Sequence, residues 1–441
     1  MGRETRTGFS AILHGSFSCP GHQLKFTGRL SALQHTQYRR YWLGSFASVG
    51  ATQLQMMGQG WLVYELSGSA LMLGYLGAAS AIPAIVMTLF GGALADQLDK
   101  RIVLMVTSIT VALLLLFLGV LDLTHLVAAW HVILIAGLIS FVSGFDWPTR
   151  QAIFPALIAR QDMMSGIALN SIIWQSCRMV MPAFGGIVIA FTDTWVIFIL
   201  CAAGFFTMFM VVSGLKINVP VITTNQTSTL QKISEGIRFI VTEKTFLVLI
   251  SLSYLGMFFV SSYMQLMPVF ASLLEAGEAG YGYLISITGI GSVIGTILVG
   301  PLQGSRRLGF VILGSAFLSG FFVYLFAAAT GYLNATILAY PVAIIAAFTI
   351  AIFSSIFMIT SMTVLQLQVP ENLRGRVMGL HGITYSLMPL GGLLSGYIST
   401  YSSAPVAISI AASVYLVIVA LISLTQVHIR KIDGVAVSAL A

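Results

Sequence analysis

The sequence predicts an all-α polytopic membrane protein whose twelve transmembrane helices form two pseudo-symmetric halves of six. Three observations predict it. At 57% hydrophobic and 8% charged residues, with mean hydropathy +0.95, the 441-residue chain is far more apolar than a soluble domain, which is roughly 25% charged. Apolar runs of about the 20 residues that a helix needs to cross a bilayer recur between charged or turn-rich breaks. Lysine and arginine, finally, are concentrated in every second break.

Residues 1–41 are basic, broken by Pro20 and Gly21, and lack a long apolar core, so they are expected to form a cytoplasmic N-terminal tail. The first half, 42–215, holds apolar runs at 42–64, 71–95, 102–121, 126–147, 166–190 and 195–215. The longest polar break, 216–245, divides the chain as a central cytoplasmic loop. Within it Leu230, Ile233, Ile237 and Ile240 recur at helical spacing with Lys232, Glu235 and Arg238 between them, the pattern of an interfacial amphipathic helix acting as a tether. The second half, 246–426, holds runs at 246–272, 281–303, 309–329, 335–366, 377–400 and 405–426. The tenth exceeds one straight span, so part of it is expected in a turn or at the interface. Residues 427–441 are expected to form a cytoplasmic C-terminal tail.

Orientation follows from the bases. Arg39 and Arg40 precede the first span; Lys100 and Arg101, Arg150 and Arg160, Lys232 and Lys244, Arg306 and Arg307, and Arg374 and Arg376 mark alternate breaks; Arg430 and Lys431 follow the last. The intervening loops carry neither residue type, so the positive-inside rule places both termini in the cytoplasm. The net charge of +7 then describes a face beside anionic lipid, with no nucleic-acid partner implied. No phosphate-binding loop is present, and Cys19, Cys177 and Cys201 show neither metal spacing nor a disulfide framework. The chain is therefore read as no enzyme, with no cofactor and no metal.

The halves repeat. With a shift of 208, Gly74-Tyr75-Leu76 falls on Gly282-Tyr283-Leu284 and Gly92-x-Leu94 on Gly300-x-Leu302; with a shift of 207, Met181-Pro182 falls on Met388-Pro389. Parallel repeats of this kind enclose a substrate cavity near the bilayer midplane.

Between the second and third spans, residues 91–101 make a tight charged turn. Gly92 permits close helix approach, and Asp96 beside Lys100 and Arg101 can form a salt-bridged clamp at the membrane boundary. This turn resembles the loop motif of the major facilitator superfamily, with Gly92, Leu94, Ala95, Asp96, Lys100 and Arg101 matching and Asp99 where many members have glycine, a substitution tolerable in a turn because aspartate accepts left-handed backbone angles. The stretch 145–152, with Asn170, Arg178, Pro182, Gly185 and Gly186, and the stretches 60–69 and 373–378, resemble the branch that includes bacterial drug and siderophore exporters.

The resemblance implies the major facilitator fold and an antiporter segment in the fifth helix, where Pro182 removes a backbone donor and Gly185 and Gly186 allow bending and close packing against the other half. Met181 departs from the glycine usual there. It also implies that Asp146, one turn from Arg150 at the inner end of the fourth span, joins Asp96 and Arg101 in a network holding the outward-open state. A local pair between Asp146 and Arg150 is the alternative.

Polar side chains inside spans mark candidate cavity positions because burying them in lipid is costly. Thr52, Gln55 and Gln59 share a face of the first span, the glutamines serving either ligand contact or helix-to-helix hydrogen bonding. Asn170, Trp174 and Arg178 share one in the fifth. Arg178 is the one base away from the charged breaks, and the bilayer interior tolerates it only beside water, polar groups or an anionic ligand. Tyr254, Phe258, Ser262 and Gln265 in the seventh span, and His381 with Tyr385 in the eleventh, are further positions, where plain packing competes.

The reading is a monomeric exporter of an amphipathic small molecule, siderophore or drug-like, embedded in the bilayer of a bacterial inner membrane and worked by alternating access. The resemblance implies proton antiport; Glu65, Asp122 and Asp146 are the nearest proton sites. An uncoupled facilitator and a non-transporting sensor or scaffold on the same fold are the alternatives.

Overall fold

The computed structural model describes residues 31–96, 98–215, 229–303, 305–333, 336–371 and 373–434, apart from the side chains of 89–96, 229, 230, 232 and 303. No strand occurs among them. The spanning helices are α1 (Thr36–Ser67), α2 (Ala70–Asp96), α3 (Lys100–Leu123), α4 (Ala129–Ala156), α5 (Met163–Phe191), α6 (Thr194–Ser213), α7 (Lys244–Leu273), α8 (Gly277–Gln303), α9 (Leu308–Tyr332), α10 (Ala339–Gln368), α11 (Arg374–Ser399) and α12 (Ala404–Thr425).

Eleven of these are long and apolar enough to cross a membrane by composition alone. The exception is α1, whose Gln53, Gln55 and Gln59 dilute its apolarity. It remains a 32-residue helix, about 48 Å of rise, and Gln55 and Gln59 are buried against other helices, so it does not need an apolar surface throughout. The tenth run proves to be one uninterrupted helix of 30 residues, about 45 Å long, with the turn confined to the residues before Ala339.

Two spans are interrupted, and they meet. α7 leaves regular geometry in a π-helical turn at Gly256–Val260 and a 3-10 turn at Ser261–Met264 before resuming at Met267. α11 breaks at Ile383, between Arg374–Gly382 and Thr384–Ser399. Gly391 lies against the Phe258 carbonyl so closely that a Cβ would collide with it, which binds the two irregular segments together.

The ends are more structured than tails. A 3-10 turn at Ser31–Gln34 and the start of α1 dock on the α4–α5 turn: Ala32 N–H donates to Ser165 Oγ (3.2 Å), Tyr38 Oη to Gly166 O (3.1 Å) and Trp42 Nε1 to Leu169 O (3.2 Å), while His35 Nε2 meets Asp162 Oδ2 at 2.8 Å. The first helix thus begins six residues before the expected boundary at 42. At the other end Ile429 is fully buried, and Gly434 N–H and Gly309 N–H donate to Ser305 O (2.9 Å) and Ile432 O (3.1 Å), clipping residues 427–434 onto the α8–α9 turn. The central loop contains the expected helix at Thr229–Thr242, but it is more than a tether. Its Gly236 packs on Leu380 and Arg376 of α11, and Glu235 pairs with Arg376.

The halves join through α2 against α11 and α5 against α8. The repeat is visible in how they do so. A Cβ on Gly74 would lie 2.8 Å from Leu393 Cα, and one on Gly77 2.8 Å from Pro389 O; its counterpart on Gly282 would run into Pro182 O. Each half supplies a glycine-bearing helix and receives a proline-bearing one, so backbone meets backbone twice.

Candidate transport cleft and charged turn

The close contacts between halves lie toward the face of the bundle remote from the chain ends, here the distal face. Gln265 Nε2 donates to Leu73 O at 2.8 Å, Ala183 N–H to Ser286 Oγ at 2.8 Å and Tyr281 Oη to Met57 O at 3.4 Å, and the Trp61 and Tyr281 rings stack with centroids 5.4 Å apart. Toward the terminal face contact is looser but persists: a Cβ at Gly382 of α11 would stand at ordinary van der Waals distance, 3.9 Å, from Thr88 Cγ2 of α2. Between α2 and α4 on that side is a cavity of about 340 Å³, lined by Ala84, Met87, Thr88, Ser143 and Trp147 among others.

Arg178 stands on α5, outside the lining of that cavity. It stands 15 residues after Met163 and 13 before Phe191, so about 22 and 20 Å of helix lie on either side and the guanidinium sits near the middle of the span. It is exposed, makes no hydrogen bond or ion pair among the described residues, and acts electrostatically on the Tyr263 hydroxyl of the opposite half. One turn earlier Trp174 packs edge-on to Trp147 of α4, centroids 5.4 Å apart at 75°. Asn170 is half-buried a turn further on. Tyr385 is 59% exposed on α11, between the Pro389 and Gly382 contacts with α2.

Other positions drawn from the sequence are engaged elsewhere. Gln55 Nε2 donates to Gln59 Oε1 at 3.2 Å and both side chains are buried, which favours the helix-packing alternative. Tyr254 Oη donates to Leu380 O at 2.7 Å within the second half, and Gln265 staples the distal face. His381 is buried, its Nε2 without a partner among the described residues. In the fifth helix, Gly185 packs on Leu54 and Met57 of α1, whereas at Gly186 a Cβ would lie 2.5 Å from Glu278 O of α8; Pro182 and Gly186 therefore face the other half, while Gly185 serves its own.

The charged turn divides differently from the expected clamp. Gly92 and Asp96 lie among the side chains outside the description. Asp99 is not in a left-handed turn: at φ −62° it is the N-cap of α3, accepting from Arg101 N–H (2.8 Å) and Ile102 N–H (3.3 Å), so a short acceptor side chain is needed there. Arg101 does not reach Asp146. Its Nε donates to Val212 O at 3.2 Å and its Nη2 to Ser213 O, neutralising the carbonyl end of α6. Lys100 is buried. Asp146 pairs with Arg150 (Oδ2–Nε 2.5 Å), with Thr107 Oγ1 at 3.5 Å from its second oxygen, and the buried Tyr41 hydroxyl lies near the Arg150 guanidinium. Arg150 is 9% exposed and its Nη1 has no partner among the described residues, so this is a buried cluster rather than a surface pair. At the distal face Glu65 is exposed, and Asp122 accepts from Thr194 Oγ1 at 2.5 Å.

Sequence reasoning missed Tyr281 and Ser286, which join the halves, and Tyr41, which completes the Arg150 cluster; none carries a charge or a rare residue type to mark it. Trp147 lay in a stretch singled out for resemblance alone.

Two helix bundles joined backbone to backbone through paired glycine and proline contacts, with an arginine in mid-span, define a polytopic membrane transporter. The chain belongs to the transmembrane secretion effector family of the major facilitator superfamily, whose profile matches residues 27–441. It is similar to the staphyloferrin A transporter of Staphylococcus aureus, 24% identical across 80% of this chain and 87% of that one, and to the multidrug efflux pump Tap of Mycolicibacterium fortuitum, 25% identical across 85% and 91%. Its fold matches a variant of the nucleoside transporter NupG with a TM-score of 0.72 at 15% identity, over 92% of this chain and 99% of that one. The protein is a small-molecule exporter of this superfamily and no enzyme.

Proposed function

We propose that the protein moves an amphipathic, siderophore- or drug-like molecule out of the cytoplasm of a bacterium, as a monomer in the inner membrane, by rocking of its two halves and in exchange for protons. The observation that carries this reading is the pairing of a hydrogen-bonded seam between the halves at the distal face with a cavity between α2 and α4 on the terminal side, where the lysines and arginines lie. The positive-inside rule sets that face in the cytoplasm, so the cavity lies on the side from which cargo would be loaded. Relatives named for a siderophore and for drugs mark the size and chemistry of the cargo. Glu65, Asp122 and Asp146 are the carboxylates available to carry protons, two at the distal end and one at the cytoplasmic end.

Everted membrane vesicles test the whole reading with a panel of fluorescent drug-like dyes and iron-free siderophores. Uptake of at least one compound should collapse with a protonophore and survive ATP depletion. Uptake indifferent to the protonophore removes proton exchange, and absence of uptake across the panel removes the cargo class.

A further inference from the structure

The cavity between α2 and α4 presents an aromatic ring close to the mid-span charge of α5. Trp147 is 51% exposed and lines the cavity between α2 and α4, while its edge-on contact with Trp174 fixes its position and leaves indole surface toward the cavity. Trp174 and Arg178 are four residues apart on α5, hence neighbours on one helix face. The next residue on that face, Pro182, packs against Gly282 of the opposite half, so the face points between the halves. From the cavity, side-chain contact runs from Trp147 to Trp174, and the unpaired guanidinium stands one helical turn beyond Trp174. Thr88 of α2 lines the cavity, Gly382 of α11 is within van der Waals reach of it, and the exposed Tyr385 follows on α11.

We propose that Trp147, Trp174 and Arg178 form a substrate subsite for an aromatic anion, with the ring on Trp147 in the cavity and its anionic oxygens on the Arg178 guanidinium. This rests on the export reading above and adds the chemical class of the cargo. An unpaired arginine in a low-dielectric cleft favours a negative partner, and its planar fork matches a carboxylate in two-point contact. An exposed indole beside a cavity of about 340 Å³, near the lower end of ordinary ligand pockets, favours a flat ring over an aliphatic chain. Trp174 acts as a positioning residue, holding Trp147 edge-on.

Equilibrium dialysis of the full chain in lipid nanodiscs tests this with radiolabelled 1-naphthoate, a compact aromatic anion. No gradient or turnover is involved, so loss of binding sinks the subsite without touching export, and failure of vesicle transport leaves the binding result standing. Saturable binding is expected, weakened at least tenfold by Arg178→Gln and at least fivefold by Trp147→Ala, with Trp147→Phe within twofold of the native chain. Unlabelled 1-naphthylmethylamine and cyclohexanecarboxylate should each compete at least tenfold less well than 1-naphthoate, isolating the charge and the ring. Should Arg178→Gln fail to fold, Arg178→Lys carries the same arm, with at least threefold weaker binding expected for lack of the fork. No saturable binding to the native chain, native affinity in the arginine variants, or equal competition by the amine overturns the assignment.

Discussion

Asp99 and Asp146 are both acids at the charged end of the bundle, yet they do different work. Asp99 supplies the oxygen that two orphan N–H groups at the start of α3 require, so Asp99→Ala should lower stability by about 1 kcal/mol, read as a fall in the melting temperature of the detergent-solubilised protein, while Asp99→Asn should be nearly neutral. A neutral alanine variant would mean that water satisfies those groups. Asp146 instead compensates a guanidinium that is almost wholly enclosed. Removing one partner of a buried pair costs about 3–5 kcal/mol, and less here because 21% of the Asp146 side chain remains exposed. Asp146→Asn should therefore destabilise by more than Asp99→Ala, and Arg150→Met added to it should recover part of the loss. Recovery is the discriminating result, since it requires that the harm come from the stranded charge. The acids were legible from the sequence; their partners were not, because Arg101 could reach either Asp146 or the end of α6, and only packing decides which carbonyls lie within its reach.

At the level of helices, the seam between the halves depends on residues without side chains. Gly282 sits where any Cβ would strike the Pro182 carbonyl, whereas Gly300, later on the same helix, has open space around it. Gly282→Ala should thus push α5 and α8 apart and shift the population toward the distal-open state, measurable as increased thiol labelling of Trp61→Cys from the distal side; Gly300→Ala should leave labelling unchanged. Equal labelling in both would show that the seam tolerates an extra methyl. The connecting helix makes a gentler contact: Glu235 and Arg376 are 43% and 31% exposed, and a pair so solvated is worth under about 1 kcal/mol, so its value lies in placing the helix against the first turn of α11. Spans and the amphipathic connecting helix followed from hydrophobic spacing. The breaks in α7 and α11 did not, since their cause is mutual: Gly391 admits the Phe258 carbonyl, a contact between residues far apart in the chain.

For the molecule as a whole, alternation requires the distal seal to open. Joining α1 to α8 through Trp61→Cys and Tyr281→Cys with a short thiol-reactive crosslinker should abolish transport while leaving binding from the terminal face intact. Cys177 and Cys201 are buried and compete little for the reagent; Cys19 should first be replaced by serine. Transport that survives complete crosslinking would exclude rocking about this seam.

What the sequence determined by itself was the medium, the succession of apolar helices and the internal repeat. These depend on length, apolarity and the placement of lysine and arginine, quantities that a bilayer reads one segment at a time. It also marked Arg178, because a charge in mid-span is conspicuous wherever it points. The tertiary structure alone decided that Gln55 donates to Gln59, that Arg101 caps α6, that Trp147 rather than Tyr254 lines the cavity between α2 and α4, and where the halves are joined by hydrogen bonds. Those outcomes turn on which helices are neighbours and how far apart they stand, and inside a membrane, where lipid and leucine are equally apolar, helix neighbours are chosen by shape and backbone approach, which a linear pattern of apolar residues does not encode.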